Sequence, residues 1–133
     1  VGDTSVAQGD VIYHAESIST TEGNIYAMST LGIVVPADAD AVATASTVLC
    51  VALGANANLG LLLRGIVVLR TSPGADPGKP IYLSTTAGQA QAAAPTGTGD
   101  VVRVLGYQLT PNGEGDQVNV CYFNPDNTWV ELT

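Results

Sequence analysis

The sequence predicts an all-β protein, a small barrel or sandwich with little helix. Short apolar runs rich in Val, Ile, Leu and Tyr recur about every ten residues, as in sandwiches and barrels. Gly, Pro, Asn and Asp separate these runs. No stretch combines a helical apolar period with good helix formers and a cap. These three observations together predict the fold class.

About nine strands are expected, the first of which alternates Val11 and Tyr13 against Ile12 and His14. In chain order they are DVIYHAES (10–17), NIYAMS (24–29), GIVV (32–35), STVLCVAL (46–53), GLLLRGIVVLR (60–70), PIYLST (80–85), DVVRVLGYQL (100–109), DQVNVCYF (116–123) and TWVEL (128–132). The best helix candidate is ADADAVATAS (37–46), which is long enough for one or two turns.

Two loops interrupt this pattern. Residues 72–80, SPGADPGKP, hold three prolines and two glycines, which disfavour both strand and helix. Residues 92–100, AAAPTGTGD, form the second loop. Asn112 and Gly113 predict a tight hairpin turn because Gly accepts a positive φ, and residues 54–60, GANANLG, play the same part earlier in the chain.

A weak internal repeat divides the chain. Matching residues share an offset of 56 positions: Ile25 and Ile81, Tyr26 and Tyr82, Thr30 and Thr86, Gly32 and Gly88. The repeat predicts two degenerate β-units, 1–71 with an N-terminal extension and 81–133, joined by residues 72–80 into one compact domain. The alternative is chance similarity between short β-hairpin patterns.

The apolar residues are mostly small. Hydrophobic residues make up 46% of the chain but aromatic residues only 5%, so Ala, Val and Leu must form the core. Small side chains bury less area per residue and contribute less to stability than aromatic ones. We therefore expect partner subunits to help stabilise the fold.

The charge is sparse and acidic. Twelve acidic residues face four basic ones, giving a net charge of -8, and the basic residues form no cluster in the sequence. Nucleic-acid binding needs clustered Lys and Arg, so nucleic acid is not an expected partner. No apolar run reaches the ~20 residues of a membrane-spanning helix. The chain begins with Val1 rather than Met, which suggests N-terminal trimming.

No residue set predicts catalysis, a metal site or a cofactor. His14 is the sole histidine and is expected to be a surface or packing residue. Asp38 and Asp40 lack the further oxygen ligands that Ca²⁺ needs and are interpreted as a solvated loop. Glu114 and Asp116 are expected to keep a hairpin tip hydrated. A phosphate site at TGTGD (96–100) would need a following helix, whereas a strand follows.

The two cysteines, Cys50 and Cys121, lie in β-like apolar runs and lack the paired spacing of a zinc site. Two buried free thiols are the favoured interpretation. A disulfide would require that the fold bring them together in an oxidising compartment.

Several stretches resemble the small β-rich head decoration, or cement, proteins of tailed bacteriophages. The resemblance is best over residues 48–133. It is carried by PIYLS (80–84), VRVLGY (102–107) and FNPDNTWVEL (123–132), with VALGA and LLLRGIVVL similar upstream.

The resemblance implies a structural role in the virion without catalysis. Such proteins bind the outside of an assembled capsid, often as trimers, and lock the coat subunits together. The implied partners are the major capsid protein and further copies of this chain, in a homotrimer. The implied location is the outer capsid surface, after assembly in the host cytoplasm.

The C-terminal segment supplies the interface candidates Phe123, Pro125, Trp129, Val130 and Leu132. Pro125 and its Asn and Asp neighbours predict a tight turn, after which the chain is expected to run back as an edge strand. Trp129 is expected either to close the barrel or to anchor a neighbouring subunit.

Two other functions are weighed against the capsid role. A tail, fibre or knob domain that binds a host receptor is the main alternative, although a sugar-binding surface usually clusters aromatic residues and this chain has few. An enzyme is disfavoured because the chain has one histidine and no nucleophile motif.

Overall fold

The computed structural model describes residues 7–111 and 119–133, and these residues fold into an almost entirely β structure. They contain no α-helix; two 3-10 helices, Val42–Thr44 and Ala57–Leu59, are the helical elements found there. The strands are β1 Gln8–Ile12, β2 Ile25–Met28, β3 Val34–Pro36, β4 Leu49–Ala52, β5 Leu61–Val68, β6 Pro80–Leu83, β7 Ala90–Gln91, β8 Val101–Val102, β9 Val104–Gln108, β10 Val120–Phe123 and β11 Val130–Glu131. The predicted fold class is confirmed.

The strands form one curled antiparallel sheet, shaped like half a barrel, and a small separate ribbon. The order in the main sheet is β3-β2-β4-β5-β10-β9-β6-β7, with β1 also paired to β5. The ribbon consists of β8 and β11, which are too short to hold a sheet of their own without packing on the main body.

Strand β5 joins the two halves of the main sheet. β1 pairs with β5 from residue 61 to residue 66, while β4 pairs with residues 61 and 62 and β10 with residues 65 to 68. A strand has only two edges, so β4 and β10 must follow one another along the edge opposite β1. A register shift between Asp10 and Val11 of β1 marks the change.

The order of strand pairing is the same in the two halves. β2 pairs with β3 and β4, and β4 pairs with β5; likewise β6 pairs with β7 and β9, and β9 pairs with β10. Ile25 and Ile81, which share the offset of 56, are both buried. The duplication itself, and the division of the chain at residues 72–80, stay predictions.

The core is built from small side chains around a few larger ones. Phe123 is the largest fully buried side chain, and four fully buried alanines share its cluster: Ala27, Ala37, Ala39 and Ala45. A second, smaller cluster groups Tyr26 and Cys50 with Leu61. Small side chains let the layers of the fold approach closely but contribute little free energy each.

Three elements differ from the prediction. The helix candidate at 37–46 forms only one 3-10 turn, Val42–Thr44. The predicted strand 100–109 is two strands separated by the buried Arg103, and they belong to different sheets: β8 pairs with β11, and β9 pairs with β6 and β10. β7 was not predicted. The turn at Asn112 and Gly113, with Glu114 and Asp116, lies outside the described residues.

The first strand ends earlier than predicted: the prediction was 10–17, whereas β1 is Gln8–Ile12. After β1 ends at Ile12, the chain runs along the 54–57 loop, where the backbone N–H groups of His14 and Thr20 donate to Ala57 and Ala55. His14 accepts from the Glu16 N–H through Nδ1, and its Nε2 lies 2.8 Å from the Gly32 carbonyl oxygen. This histidine is therefore a packing residue. Within the described parts, no helix is long and apolar enough to cross a membrane.

Candidate functional site

The predicted interface residues occupy very different positions. Phe123 is fully buried in the main core cluster, so its side chain presents no surface to a partner. Trp129 is half-buried and packs against the same cluster, and Pro125 and Leu132 are half-buried. Val130 is 56% exposed. Of the five, Val130 is the side chain most available for contact, while Trp129 helps to cover the core.

The chain leaves the core at Phe123 and is then fixed to the surface by backbone hydrogen bonds. The Asn124 N–H donates to the Leu105 carbonyl at 2.7 Å, and the Asp126 N–H donates to the Val104 carbonyl at 2.9 Å. An Oδ1 oxygen of Asp126 accepts from the Thr128 N–H, which is an Asx turn. Residues 124–128 therefore form an ordered turn before β11.

The buried guanidinium of Arg103 holds this turn against the rest of the protein. Its Nε donates to the Asp126 carbonyl at 2.8 Å, and Nη1 donates to the carbonyls of Ala45 at 2.8 Å and Thr47 at 2.7 Å. Burial lowers the pKa of Arg103, while the charge of Asp126 acts in the opposite direction. Arginine stays protonated in proteins, so a buried cation here links the C-terminal turn to the 45–47 segment.

A groove of about 470 Å³ opens beside the turn, on the outer face of β9 and β10. We call it the tyrosine groove; its lining includes Arg64, Tyr107, Tyr122, Asn124, Asp126 and Asn127. Tyr107 and Tyr122 are direct cross-strand partners, 47% and 38% exposed. Tyr122 lies between the buried Cys121 and Phe123, and Tyr107 directly precedes the buried Gln108, so both rings lie on the side of the sheet away from the core.

Gly106 also lines the tyrosine groove and permits close approach of β9 and β10. It pairs with Phe123, and its φ of 142° lies in a region that favours glycine. A Cβ atom on Gly106 would overlap the Tyr122 carbonyl oxygen. The position of the second tyrosine therefore depends on a glycine in the neighbouring strand.

A smaller cavity of about 280 Å³ adjoins the tyrosine groove. The two share Arg64, Asn124, Pro125 and Asn127. Arg64 lies between them and donates from Nη2 to an Asp10 carboxylate oxygen at 2.9 Å. The guanidinium at the border of the two cavities is thus already engaged by a carboxylate of β1.

Acidic residues near the 38–40 loop do not assemble a metal site. Partial burial is the main cause that raises the pKa of Asp38, and the charges of Asp40 and Asp100 act in the same direction. An Asp38 carboxylate oxygen accepts from the Asp40 N–H at 3.1 Å. Within residues 7–111 and 119–133, no group of three or more His, Cys, Asp or Glu side chains comes together in metal-binding geometry.

The two cysteines are free and buried, as the favoured interpretation predicted. Burial raises the pKa of both thiols from an ordinary value of 9.0 to about 12. Cys50 lies on β4 and Cys121 on β10. Reactive cysteines have lowered pKa values and are accessible, so neither thiol is suited to nucleophilic chemistry.

These pKa values predict a loss of stability at alkaline pH. The thiols ionise in the unfolded chain from about pH 9 but stay protonated in the folded protein until about pH 12. The unfolded state therefore binds fewer protons, and the free energy of unfolding falls as the pH rises through that window. Denaturant unfolding at several pH values should show a steeper decline for the native chain than for a Cys50→Ala, Cys121→Ala variant. Parallel declines would contradict the prediction.

The tyrosine groove was missed by sequence reasoning, although part of its signal was present. Alternation in VCYF places Tyr122 opposite the buried Cys121 and Phe123, whereas alternation in VLGYQL would place Tyr107 on the same face as the buried Leu105. Their adjacency depends on the register between β9 and β10, which the sequence pattern does not give.

Comparison of the chain with protein-family models, with curated proteins and with solved structures finds no match.

Proposed function

We propose that this protein is a virion structural protein that binds the outer surface of a phage capsid and stabilises it without catalysis. Its partners are the major capsid protein and other copies of the chain, in a homotrimer. The observation that carries the proposal is the C-terminal segment, which leaves the core at Phe123 and ends on the surface as the edge strand β11 with Val130 exposed.

An edge strand suits attachment to another protein. Among residues 7–111 and 119–133, β11 pairs with β8 alone, and both of its side chains are exposed. We propose that its second edge pairs with a strand of the partner. Strand addition at such an edge supplies main-chain hydrogen bonds, and exposed side chains supply selectivity. Val130 provides apolar area, and the neighbouring Glu131 is exposed.

The surface charge supports an outward location on a particle that contains DNA. A net charge of -8 gives the free protein little attraction for nucleic acid. Weak stabilisation from a core rich in alanine also favours a protein that gains stability when it is bound to partners, because binding to the folded state stabilises it by mass action.

Purified protein mixed with empty expanded phage heads tests the proposal directly. We expect density at three-fold positions by electron microscopy and a higher temperature for head disruption. Undecorated heads, with the protein adhering instead to host cells, would overturn the proposal in favour of a tail, fibre or knob domain.

Val130→Ser is expected to weaken head binding about tenfold or more, since a contact that buries an exposed valine loses apolar area. Its free energy of unfolding should change by less than about 0.5 kcal/mol. The matched control is Leu59→Ser, because Leu59 is 59% exposed and lines neither the tyrosine groove nor the smaller cavity beside the C-terminal turn. Cosedimentation with heads gives the affinity, and denaturant unfolding gives the stability.

Trp129→Ala serves as the contrasting variant. The Trp129 ring packs against the main core cluster, so the variant should lose stability as well as head binding. The free energy of unfolding should fall by about 2 kcal/mol, because the side chain is half-buried. If Val130→Ser and Leu59→Ser bind heads equally well, the edge strand is not the capsid contact.

A further inference from the structure

We infer that the tyrosine groove binds a neutral oligosaccharide. This activity is separate from capsid attachment through β11, and no step of the argument depends on the proposed function. Four features of the groove carry the inference: its paired rings, its polar side chains, its charge, and the fixed position of its wall.

The paired rings provide a stacking surface. Tyr107 and Tyr122 lie side by side across β9 and β10, both partly exposed, in a chain in which only 5% of residues are aromatic. The faces of aromatic rings carry negative partial charge and attract the weakly positive C–H groups on the apolar face of a pyranose ring. Two adjacent exposed tyrosines thus fit flat sugar rings.

The 124–127 turn adds groups to the groove lining that match sugar hydroxyls. Asn124 and Asn127 line the groove with side-chain amides, and Asp126 lies between them in the chain. An amide both donates and accepts hydrogen bonds, and a carboxylate accepts them, while each hydroxyl can do either. All three residues are exposed, so their polar groups are within reach of a ligand.

The charge of the groove selects a neutral ligand. Arg64 is paired with Asp10 at 2.9 Å, and Arg103 is committed to three backbone carbonyls. Asp126 adds a negative charge to the lining, and the whole chain carries -8. Single-stranded nucleic acids also stack on tyrosines, but they need a positively charged groove to follow their backbone. Polyanions are therefore poor ligands here.

Size and rigidity also fit. The groove measures about 470 Å³, inside the range of roughly 300–1,000 Å³ for small-ligand sites. The turn that forms its polar wall is held by hydrogen bonds from Asn124 and Asp126 to β9 and by the guanidinium of Arg103. A wall that is already ordered loses little conformational entropy when a ligand binds.

The test is a titration of the full chain, followed by NMR, with maltotriose, cellotriose, mannotriose and triacetylchitotriose. Sialyllactose serves as the anionic comparison. We expect at least one neutral trisaccharide to shift the resonances of Tyr107, Tyr122 and Asn127, with a dissociation constant of ~1 mM or tighter. Sialyllactose should produce weaker shifts.

Tyr122→Ala and Tyr107→Ala should each weaken binding of that trisaccharide about tenfold, near the upper end for a lost aromatic contact. Tyr13→Ala is the matched control: Tyr13 is 70% exposed and does not line the groove, so binding should be unchanged. Asn127→Ala tests the polar wall without removing the Asp126 cap of the turn.

The inference is overturned if no trisaccharide shifts any groove resonance at ~10 mM, or if Tyr13→Ala weakens binding as much as Tyr122→Ala. It is also overturned if Tyr122→Ala abolishes binding to phage heads while the native chain ignores every sugar, because the groove would then be a protein contact. Circular dichroism of each variant confirms that the fold is retained before it is scored.

Discussion

Arg103→Met is expected to lower the free energy of unfolding by about 3 kcal/mol, because it removes charged donors from three backbone carbonyls. Methionine retains the apolar stem but leaves the Asp126, Ala45 and Thr47 carbonyls without their guanidinium partner. The melting temperature should fall by roughly 10 °C. Denaturant unfolding and a thermal scan measure both quantities.

The matched control is Arg64→Met. Arg64 is exposed and pairs with an exposed Asp10, and surface ion pairs of this kind contribute about 0–1 kcal/mol. Equal losses in the two variants would show that Arg103 acts as an ordinary surface charge and does not hold the C-terminal turn. Because that turn forms one wall of the tyrosine groove, Arg103→Met should also reduce any sugar response.

Gly106→Ala is expected to destabilise the protein by about 3 kcal/mol or more. Alanine is strained at a φ of 142°, and its Cβ would overlap the Tyr122 carbonyl oxygen, so β9 and β10 would have to separate. The separation would disturb the pairing of Tyr107 with Tyr122. Unfolding measurements give the stability, and tyrosine resonances report the disturbance of the groove.

Gly74→Ala distinguishes the two causes of that loss. Gly74 also has a positive φ, 80°, but an added Cβ would meet no atom within 4 Å. Gly74→Ala should therefore lower the free energy of unfolding by roughly 1 kcal/mol, from backbone strain alone. If Gly106→Ala costs no more than Gly74→Ala, the close approach of the two strands does not constrain this position.

The two proposed surfaces share one segment of chain. Asn124, Asp126 and Asn127 line the tyrosine groove, and β11 follows three residues later. The variants proposed for each surface nevertheless affect different side chains, so their outcomes are independent. A protein that binds heads through Val130 and sugar through Tyr122 would present a carbohydrate-binding face on the capsid exterior.

The fold class could be predicted because β patterning is local. Short runs with Ile, Val and Tyr, separated by Gly and Pro, predicted most of the strands, and the loop at 72–80 was placed correctly between β5 and β6. The small-residue composition predicted a core of small side chains, and Ala27, Ala39 and Ala45 are fully buried. The two-residue strand β7, Ala90–Gln91, was not predicted because so short a segment carries no alternating pattern.

Residue roles were less predictable because they depend on contacts between distant parts of the chain. Phe123 and Val130 were proposed for the same interface, yet one is in the core and the other on the surface. Their strands alternate inward and outward, and only the complete sheet determines which direction is inward.

The sequence by itself determined the all-β class, the loop at 72–80 and an acidic composition whose four basic residues form no cluster along the chain. Only the tertiary structure decided that Arg103 is a buried clamp while Arg64 is a surface ion pair, and that Tyr107 lies beside Tyr122. Composition and local pattern act through neighbouring residues, whereas burial and strand register are set by segments far apart in the chain, such as Ala45 and Arg103, which are 58 positions apart. Those long-range contacts form only when the whole sheet has folded.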